Sequence, residues 1–139
     1  MQRRELIRLG LVGAAATLVA PRQVLAGVEG SPMAGGVYYT QDAPGRWSKK
    51  VAGHLPVIEV DKGAGKVKVI TGHEMKGYEH YIVKHTLLDG NFQFIEERLF
   101  DPMKDAAPIT EFALTDYSGP IYALSMCNLH DVWLNMAEV

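Results

Sequence analysis

The stretch Cys127-Asn128-Leu129-His130-Asp131-Val132-Trp133 constrains this chain more than any other. It holds the only cysteine, with a histidine three residues on. In a tight turn an i, i+3 pair points both side chains inward, so this thiolate and imidazole can grip one metal ion together. Soft sulfur with imidazole selects iron, copper or zinc over magnesium or calcium. Trp133 closes the turn with a large apolar body. A buried structural cysteine beside a surface histidine carries the same short pattern, because free cysteine is among the most buried residue types. The rest of the chain has to separate the two.

The N-terminus has the pattern of an export signal. Arg3-Arg4 precede an apolar run over residues 9–20 that is too short to span a bilayer comfortably. Pro21 breaks the run, and Val24-Leu25-Ala26 ends in the small residue a signal peptidase accepts. The arginine pair points to the twin-arginine route, which carries folded cargo, and so to a periplasmic protein with no membrane attachment after cleavage. An ordinary secretory signal with a chance arginine pair is the alternative. The expected organisation is a cleaved signal over 1–26, an extended Gly- and Pro-containing arm over 27–46, and one domain over 47–139.

Of the 14 basic and 16 acidic residues, four Arg and one Glu fall in residues 1–26, which leaves 10 and 15, a formal −5. No basic face speaks for nucleic acid. A lone cysteine excludes an internal disulfide, although an oxidising compartment would allow one. Its thiol therefore needs a metal or a second chain, and a homo-oligomer stays open.

From residue 55 the pattern is that of strands. Segments 55–60, 66–70, 81–88, 92–100, 111–117 and 121–126 are short and rich in β-formers, and Lys66-Val67-Lys68-Val69-Ile70 alternates as a half-buried strand does. Lys62-Gly63-Ala64-Gly65 and Asp89-Gly90-Asn91 read as turns. No segment sustains an apolar period of 3.6. Short strands with turn signals predict an all-β sandwich.

All five histidines follow residue 53. His54 precedes the first strand, His73 sits in a Gly-flanked loop, His80 begins a strand and His130 lies in the C-terminal turn. Each alone would suit a solvated surface position. Four at strand ends, with one cysteine, suit a shared metal. His85 follows His80 by five residues, so in a continuous strand it faces the other way and is left out.

These residues resemble a known family. Gly53-His54-Leu55-Pro56-Val57-Ile58-Glu59, His73-Glu74-Met75, Glu79-His80-Tyr81-Ile82 and the block from Ile121 through Met126-Cys127-Asn128-Leu129-His130 are similar, in order, to the iron domain of superoxide reductases, the desulfoferrodoxins and neelaredoxins. The likeness spans about residues 47–134 and fits the one-iron class. It implies a seven-stranded immunoglobulin-like β-sandwich. It implies one iron per chain, cycling between Fe2+ and Fe3+, on His54, His73, His80, His130 and Cys127. It also implies superoxide as substrate and an electron donor whose identity the chain does not give. Three departures stand out. Ala52-Gly53 replace the Glu-Lys that usually precedes the first histidine. His73 and His80 are seven apart where six is usual, with Glu74 in place of Pro. Asp131 replaces Gly.

The implied chemistry is coherent. A ferrous ion with one thiolate carries a net charge near +1 and one open face for a small anion, and an axial thiolate pushes electron density toward that face. On an acidic domain a local cation has to steer the anion. Lys50, Lys49 and Lys76 are the nearest substitutes for the missing lysine, and Glu74 for the missing carboxylate. Two other functions stay open. One is a metal-binding domain of this fold without reductase activity. The other is a cupredoxin-type electron carrier using Cys127, His130, Met136 and one further histidine.

Overall fold

Lys66-Val67-Lys68-Val69-Ile70 shows how the sequence makes its sheets. Val67 and Val69 have no exposed surface, while Lys66 is exposed on the opposite face. The computed structural model describes residue 28 and residues 30–139. The expected signal, residues 1–26, lies outside the described residues. The chain divides into two units, Met1–Ser31 and Pro32–Val139, and the second contains all that follows.

Seven strands form two sheets. They are β1 (Val57–Asp61), β2 (Lys66–Ile70), β3 (Ile82–Leu88), β4 (Phe94–Leu99), β5 (Ile109–Ala113), β6 (Pro120–Cys127) and β7 (Asp131–Glu138). One sheet has the order β1-β2-β5 and the other β4-β3-β6-β7. The named pairings are antiparallel. This is the expected immunoglobulin-like sandwich. Tyr117 braces the turn before β6: its hydroxyl donates to the Pro120 carbonyl at 2.6 Å and accepts from the Gly90 amide at 3.0 Å. In the β1–β2 turn Gly65 has φ +62°, and a Cβ there would lie 2.7 Å from Thr115 Cγ2. Only glycine meets both demands cheaply.

The core between the sheets is Val67, Val69 and Phe112 against Leu87, Ile121 and Ala123. Burial of each larger side chain contributes about 1.5–3 kcal/mol. A smaller cluster of Ile82, Phe100 and Cys127, with Met75 against it, lies at one end.

β7 is a strand that the sequence pattern does not announce. Trp133 and Leu134 are consecutive yet both buried, so the period of two is lost. The arm explains this. Tyr39 lies along the outer edge of β7: its amide donates to the Val132 carbonyl at 3.0 Å, and its carbonyl accepts from Leu134 at 2.8 Å. Its ring packs on Trp133 with centroids 5.6 Å apart.

His85 sits wholly inside the sandwich. Its Nε2 is 2.8 Å from Thr71 Oγ1 and its Nδ1 is 3.0 Å from Thr110 Oγ1, while Thr71 Oγ1 also meets Ser125 Oγ at 2.7 Å. This polar chain ties the two sheets together. Strand parity is not what turns His85 from His80, because β3 starts only at Ile82 and its pairing with β6 shifts between Ile82 and Lys84.

The registers also place the strand ends. Val57 pairs with Ile70, Ile82 with Cys127, and Cys127 with Asp131. The start of β1, the end of β2, the start of β3 and the β6–β7 turn therefore project to one end of the sandwich.

Burial of the charged form holds the His85 pKa down to about 4. The unfolded chain keeps about 6.5 and binds the proton first, so His85 contributes full stability above pH 6.5 and loses it as the pH falls toward 4. Chemical denaturation of the metal-free protein should show this as about 3 kcal/mol lost between pH 7 and 4 that His85→Gln does not lose. Equal pH slopes for parent and variant would show that His85 titrates normally in the fold.

Candidate metal centre

Each histidine at this end is placed by local backbone. A single helical turn, α1 (Val51–His54), ends at His54, capped by the Leu55 amide on the Val51 carbonyl at 2.9 Å. His54 is only 4% exposed. Its Nδ1 donates to the Lys50 carbonyl at 2.8 Å. A carbonyl only accepts, so Nδ1 carries the proton and Nε2 presents its lone pair. His73 repeats the logic: its Nδ1 donates to the Glu74 carbonyl, which leaves Nε2 bare. His80 follows the 3-10 turn Gly77–Glu79, and its carbonyl accepts from the Lys76 amide at 3.1 Å.

The β6–β7 turn supplies Cys127 and His130. Trp133 Nε1 donates to the His130 carbonyl at 2.9 Å. Asn128 fastens this turn to the His80 segment. Its Oδ1 accepts from the Tyr81 amide at 3.0 Å, and its Nδ2 donates to the carbonyls of Tyr78 and Glu79 at 3.2 and 3.0 Å. Asn128 was not among the expected functional residues. Its partners lie 47 to 50 residues away, so no local sequence pattern pointed to it.

The donor atoms of His54, His73, His80 and Cys127 lie within 4.8 Å of one another. The nitrogens run in a chain. His54 Nε2 is 3.1 Å from His130 Nδ1, which is 3.1 Å from His80 Nε2, which is 2.9 Å from His73 Nε2. The rings of His73 and His54 close the circuit with centroids 4.7 Å apart. Nitrogens about 2.1 Å from a metal and at right angles about it stand about 3.0 Å apart, whereas a tetrahedron asks for about 3.4 Å. The three nitrogen–nitrogen distances are nearer the first value. Cys127 Sγ is 3.5 Å from His130 Nδ1 and 3.9 Å from His73 Nε2. Three imidazoles and one sulfur thus share a space that could hold one metal ion, and His130 Nδ1 borders it. Imidazole with sulfur suits iron among other soft or borderline metals.

Electrostatics agree with this donor set. Burial lowers the pKa of His54 to about 4 and lowers those of His73 and His130, so all three are neutral near pH 7. Burial pushes the Cys127 thiol up. A cation at the centre reverses that and deprotonates the sulfur.

The other expected residues surround this cluster. Lys50 precedes α1, and its charge is felt at both Cys127 and His130. Lys49 is exposed in the adjoining turn. Lys76 Nζ and Glu74 Oε2 pair at 2.8 Å, both well exposed. Met136 is not brought to the site. It sits on β7 opposite Tyr122, five residues beyond Asp131 and so about 17 Å up the strand. This removes the methionine that the copper-carrier alternative required.

Together the fold and the cluster define a mononuclear metal site built on one end of an immunoglobulin-like sandwich. A sequence model described as Desulfoferrodoxin matches residues 46–136, and the chain belongs to the desulfoferrodoxin family. It is 35% identical over 100 residues to the superoxide reductase of Pyrococcus abyssi, a match covering 62% of this chain and 86% of that protein. Among solved structures, a variant of the superoxide reductase (neelaredoxin) from Ignicoccus hospitalis superposes with a TM-score of 0.62 at 31% identity, covering 76% of this chain and 94% of that one. The superoxide reductase of Treponema pallidum gives 0.54 at 34%, covering 63% and 69%.

Asn128→Ala removes three hydrogen bonds that hold His80 to the turn. It should weaken metal binding about tenfold while the sandwich stays folded, as read by competition with a chromophoric chelator. Parent-like affinity would mean that His80 is placed without Asn128.

Proposed function

We propose that the chain is a superoxide reductase that binds one iron through His54 Nε2, His73 Nε2, His80 Nε2, His130 Nδ1 and Cys127 Sγ. One observation carries the reading: the donor atoms of His54, His73, His80 and Cys127 gather within 4.8 Å of one another, with His130 Nδ1 3.1 Å from two of those imidazoles, in a chain of this family. Iron held there would supply the one electron with which superoxide, taking up two protons, becomes hydrogen peroxide, an electron that a one-electron donor in the same compartment would replace.

The residues have separate tasks. The Lys50 and Glu74 carbonyls hold the His54 and His73 tautomers so that two lone pairs face inward. Burial of His54 and Cys127 keeps water from the inner side of the site. The Cys127 thiolate would hold the iron and raise its electron-donating power. Lys50 attracts the anion, because its charge reaches the turn and no ion pair among the described residues involves it. Lys76 is compensated by Glu74, and Lys49 lies further back along the chain.

The export pattern supports a periplasmic location reached by the twin-arginine route, which delivers the domain folded and metal-loaded. Ala52-Gly53 favour a second reading, a metal-binding domain without turnover, because the carboxylate and lysine usual at those places are absent.

Cys127→Ser should abolish sulfur-to-iron absorption and most superoxide consumption while the sandwich remains folded. An unchanged spectrum and rate would remove sulfur from the ligand set. Lys50→Met should slow the second-order reaction of the ferrous protein with superoxide several-fold and flatten its ionic-strength dependence, since this attraction is screened over about 10 Å at 0.1 M salt. Lys76→Met should change it less. If the triple variant of Lys49, Lys50 and Lys76 reacts like the parent at every salt concentration, no lysine steers. A parent no faster than free ferrous ion would instead favour the domain without turnover.

A further inference from the structure

We infer that Asp131 is a positioning residue for the metal-binding turn, anchoring the indole of Trp47 against the ring of His130. The inference rests on the metal-centre reading above.

His130 differs from His54 and His73 in how its ring is held. The outer nitrogens of His54 and His73 are pinned by backbone carbonyls, but among the described residues none hydrogen-bonds to His130 Nε2. A ligand imidazole needs something to fix its orientation. What meets this ring is Trp47, edge-on at 89° with centroids 4.8 Å apart.

Trp47 is itself fixed by Asp131. Its only side-chain N–H donor, Nε1, bonds Asp131 Oδ2 at 2.7 Å, and Arg46 Nη2 bonds the same oxygen at 2.6 Å. The Arg46 guanidinium lies 4.4 Å from the centroid of the Trp47 ring, so the indole is held by its nitrogen and by a ring face. Arg46 also donates through Nε to the Tyr39 hydroxyl at 3.4 Å. Tyr39 packs on Trp133, whose indole holds the His130 carbonyl. Both the ring and the backbone of His130 thus trace to one cluster, and Asp131 is the member next to His130 in sequence.

The backbone supports a side-chain role. Asp131 has φ +63°, the left-handed region where glycine is least strained. A turn needing only that conformation would be served better by glycine. The aspartate adds a carboxylate that reaches across 84 residues to Trp47.

The test uses Asp131→Gly, Trp47→Phe and the double variant in the iron-loaded protein. Glycine suits the backbone and removes the carboxylate; phenylalanine keeps an aromatic edge and removes the N–H. The measurements are the rate of iron loss to excess chelator, the sulfur-to-iron absorption of the oxidised protein, and the melting temperature without metal. Asp131→Gly should release iron about tenfold faster and shift the absorption, with no fall in the metal-free melting temperature. The double variant should be no faster than the more affected single one, since both changes cut the same link. Unchanged release and absorption, additive effects, or faster release that merely follows a lower melting temperature would each overturn the inference. If Asp131→Gly fails to fold, Trp47→Phe decides by the same release rate and absorption. A parent that takes up no iron overturns the metal-centre reading instead, an outcome distinct from a parent that loads and variants that behave like it.

Discussion

The pairing of β3 with β6 sets everything at the metal end, because it puts Ile82 opposite Cys127. A slip of one residue would turn Cys127 to the other face of the sheet. Ile82, Phe100 and Met75 pack around the sulfur and resist such a slip by their burial. The shift in register just after Ile82 then lets β3 continue with His85 inside the sandwich, where the hydroxyls of Thr71 and Thr110 take its nitrogens. Thr71 stands two residues before His73, and its partner Ser125 two before Cys127. The same inter-sheet contact therefore braces the strands from which a nitrogen and the sulfur are launched.

Burial acts on the cluster in two opposite directions with one cause. It disfavours imidazolium, so the His54, His73 and His130 pKa values fall, and it disfavours thiolate, so that of Cys127 rises. The first effect leaves lone pairs ready for a metal. The second leaves the sulfur protonated until a cation arrives. A divalent ion relieves both at once, by accepting the lone pairs and neutralising the thiolate, and its uptake releases a proton.

The sequence exposed the cluster more clearly than the framework carrying it. Cys127, His130, His54, His73 and His80 stood out because sulfur and imidazole are scarce and fell at strand ends. β7 stayed hidden because Tyr39 covers its edge and both Trp133 and Leu134 are buried. The strand expected over 111–117 is Ile109–Ala113, since Tyr117 leaves the sheet to bond the Pro120 carbonyl and the Gly90 amide. Asp131 was visible as a departure, but not its purpose: its partners Arg46 and Trp47 lie some 84 residues away, and a contact of that kind leaves no local pattern. The Asn128 clamp was hidden for the same reason.

The strip of chain at Tyr39 also bears on assembly. A sheet grows by strand addition only where backbone groups are left unpaired at an edge. Tyr39 takes the β7 edge groups on either side of Trp133, close to the metal-binding turn. A strand from another copy would have to displace Tyr39 to add along β7 at that point, and with it the ring that packs on Trp133. The contact that steadies the turn therefore also guards the stretch of sheet edge beside it.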